Sequence, residues 1–124
     1  MKKGTLIFLT ILFFTILNAA EAKKAPEAKV EWKKLDNSIS YTITFKSDYK
    51  INKQAPFKFG LLDNSKKEMA KVNWSLFKKS GEHEFTHIST KGEHFAKYWF
   101  VACRYVNNEV VSCKTFSDTM EIKK

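Results

Sequence analysis

The segment from Ile39 to Lys46 alternates apolar and polar side chains without interruption. A repeat of two residues matches the β-strand, in which successive side chains point to opposite faces of a sheet. The segment therefore predicts a strand with one buried face and one wet face. The face expected to be buried carries Ile39, Tyr41, Ile43 and Phe45.

Shorter patterns predict further strands along the chain. The longest apolar run outside the N-terminal region extends from Phe95 to Val106, and its aromatic and β-branched residues indicate a strand covered on both faces. Residues 46–56 are polar and end in Ala55-Pro56, so they are expected to form a connection or the start of a strand. The remaining strand candidates lie at residues 30–32, 57–62, 84–88, 110–116 and 119–122.

Residues 66–79 fit two kinds of secondary structure. Alternate apolar residues from Ala70 to Leu76 fit a strand, whereas Met69, Val72 and Leu76 also fit one face of a helix. We favour the strand because the neighbouring segments on both sides are predicted strands. Ser80-Gly81 is expected to form the turn that follows.

These elements add up to about seven short strands and no comparably supported helix. The expected fold class is all-β, an antiparallel immunoglobulin-like β-sandwich of about seven strands. Residues 30–124 would form this domain, and residues 23–29 would be a flexible lead-in. A monomer is expected.

The N-terminal region has the features of a cleavable signal peptide. Two lysines precede an apolar run at residues 6–17, and Ala20-x-Ala22 provides the small residues that signal peptidases accept. The run is shorter than the roughly 20 residues that span a bilayer. Residues 1–22 are therefore predicted to be removed, which leaves a periplasmic or secreted protein with no membrane span. An uncleaved N-terminal anchor is the alternative.

The chain is basic, with 22 Lys and Arg against 13 Asp and Glu and a formal net charge of +9. Its lysines occur singly or in pairs such as Lys66-Lys67, without the block of about five or six like charges that is typical of nucleic-acid-binding arms. Nucleic acid is therefore not an expected partner. Either a soluble lysine-rich surface or attraction to acidic envelope partners explains the charge.

The two cysteines, Cys103 and Cys113, flank Asn107-Asn108, a pair that tolerates positive φ and favours a tight turn. In an exported protein an even cysteine count predicts an intramolecular disulfide. A loop at residues 107–109 would place Cys103 directly opposite Cys113. A two-residue loop would place Cys103 opposite Ser112, and a β-bulge would then restore the cysteine pair.

This predicted disulfide has a structural and a redox interpretation. As a structural bridge it would stabilise the fold by about 2.8 kcal/mol through loop closure. As a bridge between neighbouring strands it could be strained and therefore easily reduced. Arg104 and Lys114 follow the cysteines but point to the opposite face of their strands, so they are not expected to stabilise a thiolate.

Two segments carry a family resemblance: YKINKQAPFKFGL at residues 49–61 and YWFVACRYVNNEVVSCKTF at residues 98–116. They resemble the periplasmic N-terminal domain of DsbD-type thiol–disulfide interchange proteins. The resemblance implies an immunoglobulin-like sandwich whose two cysteines, on a late hairpin, pass reducing equivalents to envelope proteins. It makes Cys103 and Cys113 the reactive residues and requires no cofactor.

The sequence thus supports two functions for the same cysteine pair. The first is an exported thiol–disulfide interchange module that exchanges electrons with an envelope protein partner. The alternative is a non-catalytic envelope binding or accessory β-domain with a structural disulfide. The sequence contains no Gly-x-Ser-x-Gly elbow and no phosphate-binding loop, so a hydrolase is not expected.

His83, His87 and His94 form a weaker candidate site. Imidazoles combined with a thiolate or a Met can bind copper or zinc. The spacing matches no zinc signature, so no metal or cofactor is predicted, and metal binding here stays an open alternative.

Overall fold

The computed structural model describes residues 26–123, which form two antiparallel β-sheets around a shared core. Nine strands and one turn of 3-10 helix at Trp74–Leu76 make up this part of the chain. The all-β antiparallel sandwich predicted from the sequence is confirmed. The strands are β1 (Ala28–Lys34), β2 (Ile39–Phe45), β3 (Tyr49–Ile51), β4 (Lys58–Leu62), β5 (Glu68–Lys71), β6 (Lys78–Gly81), β7 (Glu84–Ser89), β8 (Phe95–Val106) and β9 (Glu109–Glu121).

The order of the strands is that of an immunoglobulin-like sandwich. The first sheet has the order β1-β2-β7-β6, which corresponds to strands A, B, E and D of that fold. In the second sheet, β9 pairs along the whole of β8, while β4 and β3 share the other edge of β8. Strands β4, β8 and β9 therefore correspond to C, F and G.

Two short strands explain why nine strands are found instead of the about seven that the sequence predicts. Strand β3 lies within residues 46–56, which were expected to be a connection or the start of a strand, and it pairs with residues 102–104 of β8. Strand β5 pairs with β4 at the edge of the same sheet. Strand β3 forms by pairing with a distant partner, whereas β5 pairs with the preceding strand β4 across the turn at residues 63–67, and neither is long enough to show a clear alternation.

Strand β1 begins at Ala28, earlier than the predicted start at Val30. Ala28 pairs with Phe45 of β2 and is only 5% exposed, so the predicted lead-in at residues 23–29 overlaps the first strand. The predicted signal peptide at residues 1–22 lies outside the described residues, as do residues 23–25. Within the part of the chain that is described, no helix is long and apolar enough to cross a membrane.

Residues 66–79 are neither one continuous strand nor a helix. Strand β5 belongs to the second sheet and β6 to the first, so the chain crosses between the sheets here. The 3-10 turn at Trp74–Leu76 makes this crossing, and the buried side chains of Val72 and Phe77 hold it on either side. The predicted turn at Ser80-Gly81 is displaced to residues 82–83, because β6 continues through Gly81.

The core lies between the sheets and is rich in aromatic residues. The predicted buried face of β2 is confirmed, since Tyr41 and Ile43 are 0% exposed. Phe59 of β4 packs edge-on against Tyr41, with ring centroids 5.2 Å apart. Phe100 of β8 packs edge-on against Phe45, at 6.2 Å. Edge-to-face packing of this kind contributes stability beyond the burial of apolar area.

Candidate functional site

The hairpin between β8 and β9 sets the positions of both cysteines. Asn107 and Asn108 have φ angles of 53° and 66°, which is the conformation of a type I′ turn, so the loop has two residues. A β-bulge follows between Arg104 and Tyr105, and it restores the register so that Cys103 pairs with Cys113. The structure thus has the second of the two registers that the sequence allowed.

Cys103 and Cys113 form a disulfide, and their Cα atoms are 4.0 Å apart. In β8, Phe100 and Ala102 face the core, and successive residues of a strand point to opposite faces. Cys103 therefore points away from the core, and the disulfide lies on the outer face of the second sheet. The two cysteines differ in accessibility. Cys103 is 0% exposed because its strand is paired on both sides, whereas Cys113 is exposed on the edge strand β9.

Lys50 extends the cysteine pair into a row across three strands. On β3 it pairs directly with Cys103, and residues opposite each other in antiparallel strands share a face of the sheet. Its ammonium lies 5.4 Å from the ring centroid of Tyr105, which follows Cys103 by two positions on the same face of β8. Lys50 was missed in the sequence analysis, because β3 was not predicted as a strand of its own.

Arg104 and Lys114 have partners elsewhere. The Arg104 Nε atom donates a hydrogen bond to Asp48 at 2.7 Å, and this contact is the main reason why the pKa of Asp48 is lowered. The Lys114 ammonium donates to Glu27 at 3.1 Å. The pKa of Glu27 is lowered, first by a backbone hydrogen bond and then by Lys114. These pairs join the hairpin to the start of β1 and to the β2–β3 connection.

A cleft of about 770 Å³ opens beside Cys113. We call it the disulfide cleft. Its lining includes Cys113 together with aromatic residues from both sheets and several charged side chains. The aromatic residues are Phe45, Tyr49, Trp74, Phe85 and Tyr105, and the charged ones are Lys50, Lys53, Lys79 and Glu82. A second cleft of about 780 Å³, lined among others by Lys58, Lys71 and Lys97, contains neither cysteine.

The three histidines are not brought together as a metal site. His83 lies in the β6–β7 turn, and the Nδ1 atom of His87 is 3.3 Å from the carbonyl oxygen of Leu76. The backbone N–H of His94 donates to Leu62 near the start of β8. Among residues 26–123 no three His, Cys, Asp or Glu side chains are grouped so that they could hold a metal ion.

A buried polar cluster lies near the opposite end of β8 from the disulfide. The carboxylate of Glu93 is 0% exposed and accepts hydrogen bonds from the Tyr41 hydroxyl and, at 3.0 Å, from Ser89 Oγ. Burial raises the pKa of Tyr41, and the hydrogen bond and charge of Glu93 raise it further. The cluster fixes the β7–β8 connection onto the core, and nothing in the sequence distinguished Glu93 from the exposed glutamates.

Fold and site together define an immunoglobulin-like sandwich with a disulfide across its last hairpin. The chain matches no protein-family model, no curated protein and no solved structure.

Proposed function

We propose that this protein is an exported thiol–disulfide interchange module in which Cys103 and Cys113 alternate between disulfide and dithiol. Its partner is another protein of the cell envelope, with which it exchanges electrons. The observation that carries the proposal is the exposure of Cys113 at a cleft, next to a Cys103 that is fully covered. This asymmetry gives a partner access to one sulfur.

The exchange step follows from that asymmetry. A thiolate of the partner attacks the Sγ atom of Cys113, the Cys103–Cys113 bond breaks, and its electron pair remains on Cys103 as a thiolate. The product is a mixed disulfide between the partner and Cys113. A second thiolate of the partner then attacks the partner sulfur of this bond, which releases reduced Cys113 and leaves the partner with its own disulfide.

A specific observation also favours the structural alternative. The complete burial of Cys103 protects one sulfur of the bridge, as is usual for permanent disulfides. In that case the protein is a binding or accessory domain of the envelope. Against this interpretation, the Cα atoms are only 4.0 Å apart, below the usual range of about 4.4 to 6.8 Å, and bridges outside that range are more easily reduced.

The reduction potential of the Cys103–Cys113 couple decides between the two functions. We expect a value above about −250 mV, within the range of exchange proteins, when the purified protein is equilibrated with glutathione or dithiothreitol buffers. The reduced fraction is read by thiol alkylation and mass spectrometry. A value below about −300 mV identifies a permanent bridge and refutes the exchange function.

Export is tested separately at the N-terminus. We expect the protein recovered from the envelope or medium to begin at Lys23, because Ala20 and Ala22 occupy the small-residue positions before the predicted cleavage point. The intact mass of the recovered protein measures this. Ala22→Arg is expected to abolish processing, whereas the matched variant Glu21→Gln, at the tolerant middle position, is processed normally. Recovery of unprocessed wild-type chain from the membrane fraction would indicate an anchor.

A further inference from the structure

The disulfide cleft carries an excess of positive charge. Lys50, Lys53 and Lys79 line it, against one carboxylate, Glu82. All three lysines are exposed, and none of them takes part in an ion pair within the described part of the chain. Their charges are therefore not neutralised by neighbouring side chains and are available to a molecule that enters the cleft.

The apolar part of the cleft offers contact surface to an apolar side chain. The Trp74 and Phe85 rings, which are half-buried, pack against each other at 4.9 Å and rest on the buried ring of Phe45, so their remaining exposed parts form one apolar patch in the cleft. Tyr105 lies on the side of the disulfide, with the Lys50 ammonium over its ring. A bound segment therefore meets apolar contacts and a cation at the same place.

We propose that the disulfide cleft binds the reactive segment of the partner, a segment with acidic residues and one apolar residue beside its cysteine. The proposal rests on the exchange function and adds the chemistry of the partner. The lysines attract the acidic residues and also the partner's thiolate, which is itself an anion. The apolar residue packs against Trp74 and Phe85, and the thiolate beside it approaches Cys113, which lines the same cleft.

The test compares small thiols of opposite charge on the wild-type disulfide. Glutathione, which is anionic, and cysteamine, which is cationic, are each used to reduce the purified protein, and the rates are expressed per thiolate. We expect the ratio of the glutathione rate to the cysteamine rate to fall by a factor of about 3 to 10 in the triple variant Lys50→Met, Lys53→Met, Lys79→Met at low ionic strength. In 1 M salt the ratios of the two proteins should converge.

The matched control removes the same number of charges from the other cleft, through Lys58→Met, Lys71→Met and Lys97→Met. The ratio of its two rates should stay near that of the wild type, because the second cleft does not include the disulfide and its lysines have little electrostatic effect on the reaction there. Equal ratios in the two triple variants would overturn the proposal. It would also be wrong if the cleft variant lost binding to anionic lipid vesicles but kept the wild-type ratio, since the lysines would then serve a membrane surface.

Failure of this test can be distinguished from failure of the proposed exchange function. The rate ratio compares two thiols on one disulfide, so it does not depend on how stable that disulfide is. A very low reduction potential refutes the exchange function, whereas an unchanged ratio refutes only the acidic character of the partner.

Discussion

Replacing Cys103 by serine should convert the protein into a trap for partners that carry a disulfide. In Cys103→Ser the remaining Cys113 is exposed on β9, so it reacts with an incoming disulfide. No second thiol is then available to resolve the adduct, and the mixed disulfide persists. We expect at least a tenfold higher yield of adduct than in Cys113→Ser, whose remaining sulfur belongs to a residue that is 0% exposed.

The adduct is measured by intact mass after incubation of each variant with oxidised glutathione. The two variants are matched, since each lacks the disulfide and each retains one cysteine. Tryptophan fluorescence before the reaction establishes that both are folded, and a denatured sample of each gives the full reactivity of its thiol. Equal adduct yields in the folded proteins would show that burial does not distinguish the sulfurs, and our assignment of Cys113 as the attacked atom would fail.

The parts of this site that were predicted from the sequence depend on local pattern. The adjacent asparagines specify a tight turn, and the two possible lengths of its loop give two registers for the hairpin that both allow a Cys103–Cys113 pair. One of these registers is observed. The buried face of β2 follows from alternation in the same way. In each case the residues that interact are either close in the chain or related by a period of two.

The parts that could not be predicted depend on contacts between distant segments. Lys50 lies in a three-residue strand that exists because it pairs with β8, and three residues are too few for a pattern. Exposure of Cys113 and burial of Cys103 depend on which edge of β8 each neighbouring strand occupies. The 3-10 turn at Trp74–Leu76 likewise forms where the chain changes sheets, which no local signal in residues 66–79 indicates.

Glu93 is a core residue whose position likewise could not be predicted from the sequence. Its sequence neighbourhood is polar, which by pattern alone favours an exposed position. The structure instead buries its carboxylate completely against Tyr41 and Ser89. Buried carboxylates are tolerated only where hydrogen bonds compensate for the lost water, and the two hydroxyls provide those bonds.

Removal of this carboxylate should have the largest effect on stability of any single change considered. Glu93→Ala leaves the hydroxyls of Tyr41 and Ser89 without their observed acceptor in the protein interior and also creates a cavity. We expect the free energy of unfolding to fall by about 3 to 5 kcal/mol, measured by urea denaturation under non-reducing conditions so that the disulfide stays intact. Glu82→Ala, in the exposed β6–β7 turn, is the control and should change it by less than about 0.5 kcal/mol.

A double-mutant cycle then separates the hydrogen bond from the loss of packing. Tyr41→Phe removes only the hydroxyl that donates to Glu93, and we expect a loss of about 1.5 to 3 kcal/mol because a charged acceptor loses one of its donors. In the double variant the two losses should not add, since each single change breaks the same bond. Its unfolding free energy should therefore lie close to that of Glu93→Ala alone. Additive losses, or a loss below about 1 kcal/mol for Glu93→Ala, would mean that the carboxylate is hydrated and does not hold the β7–β8 connection on the core.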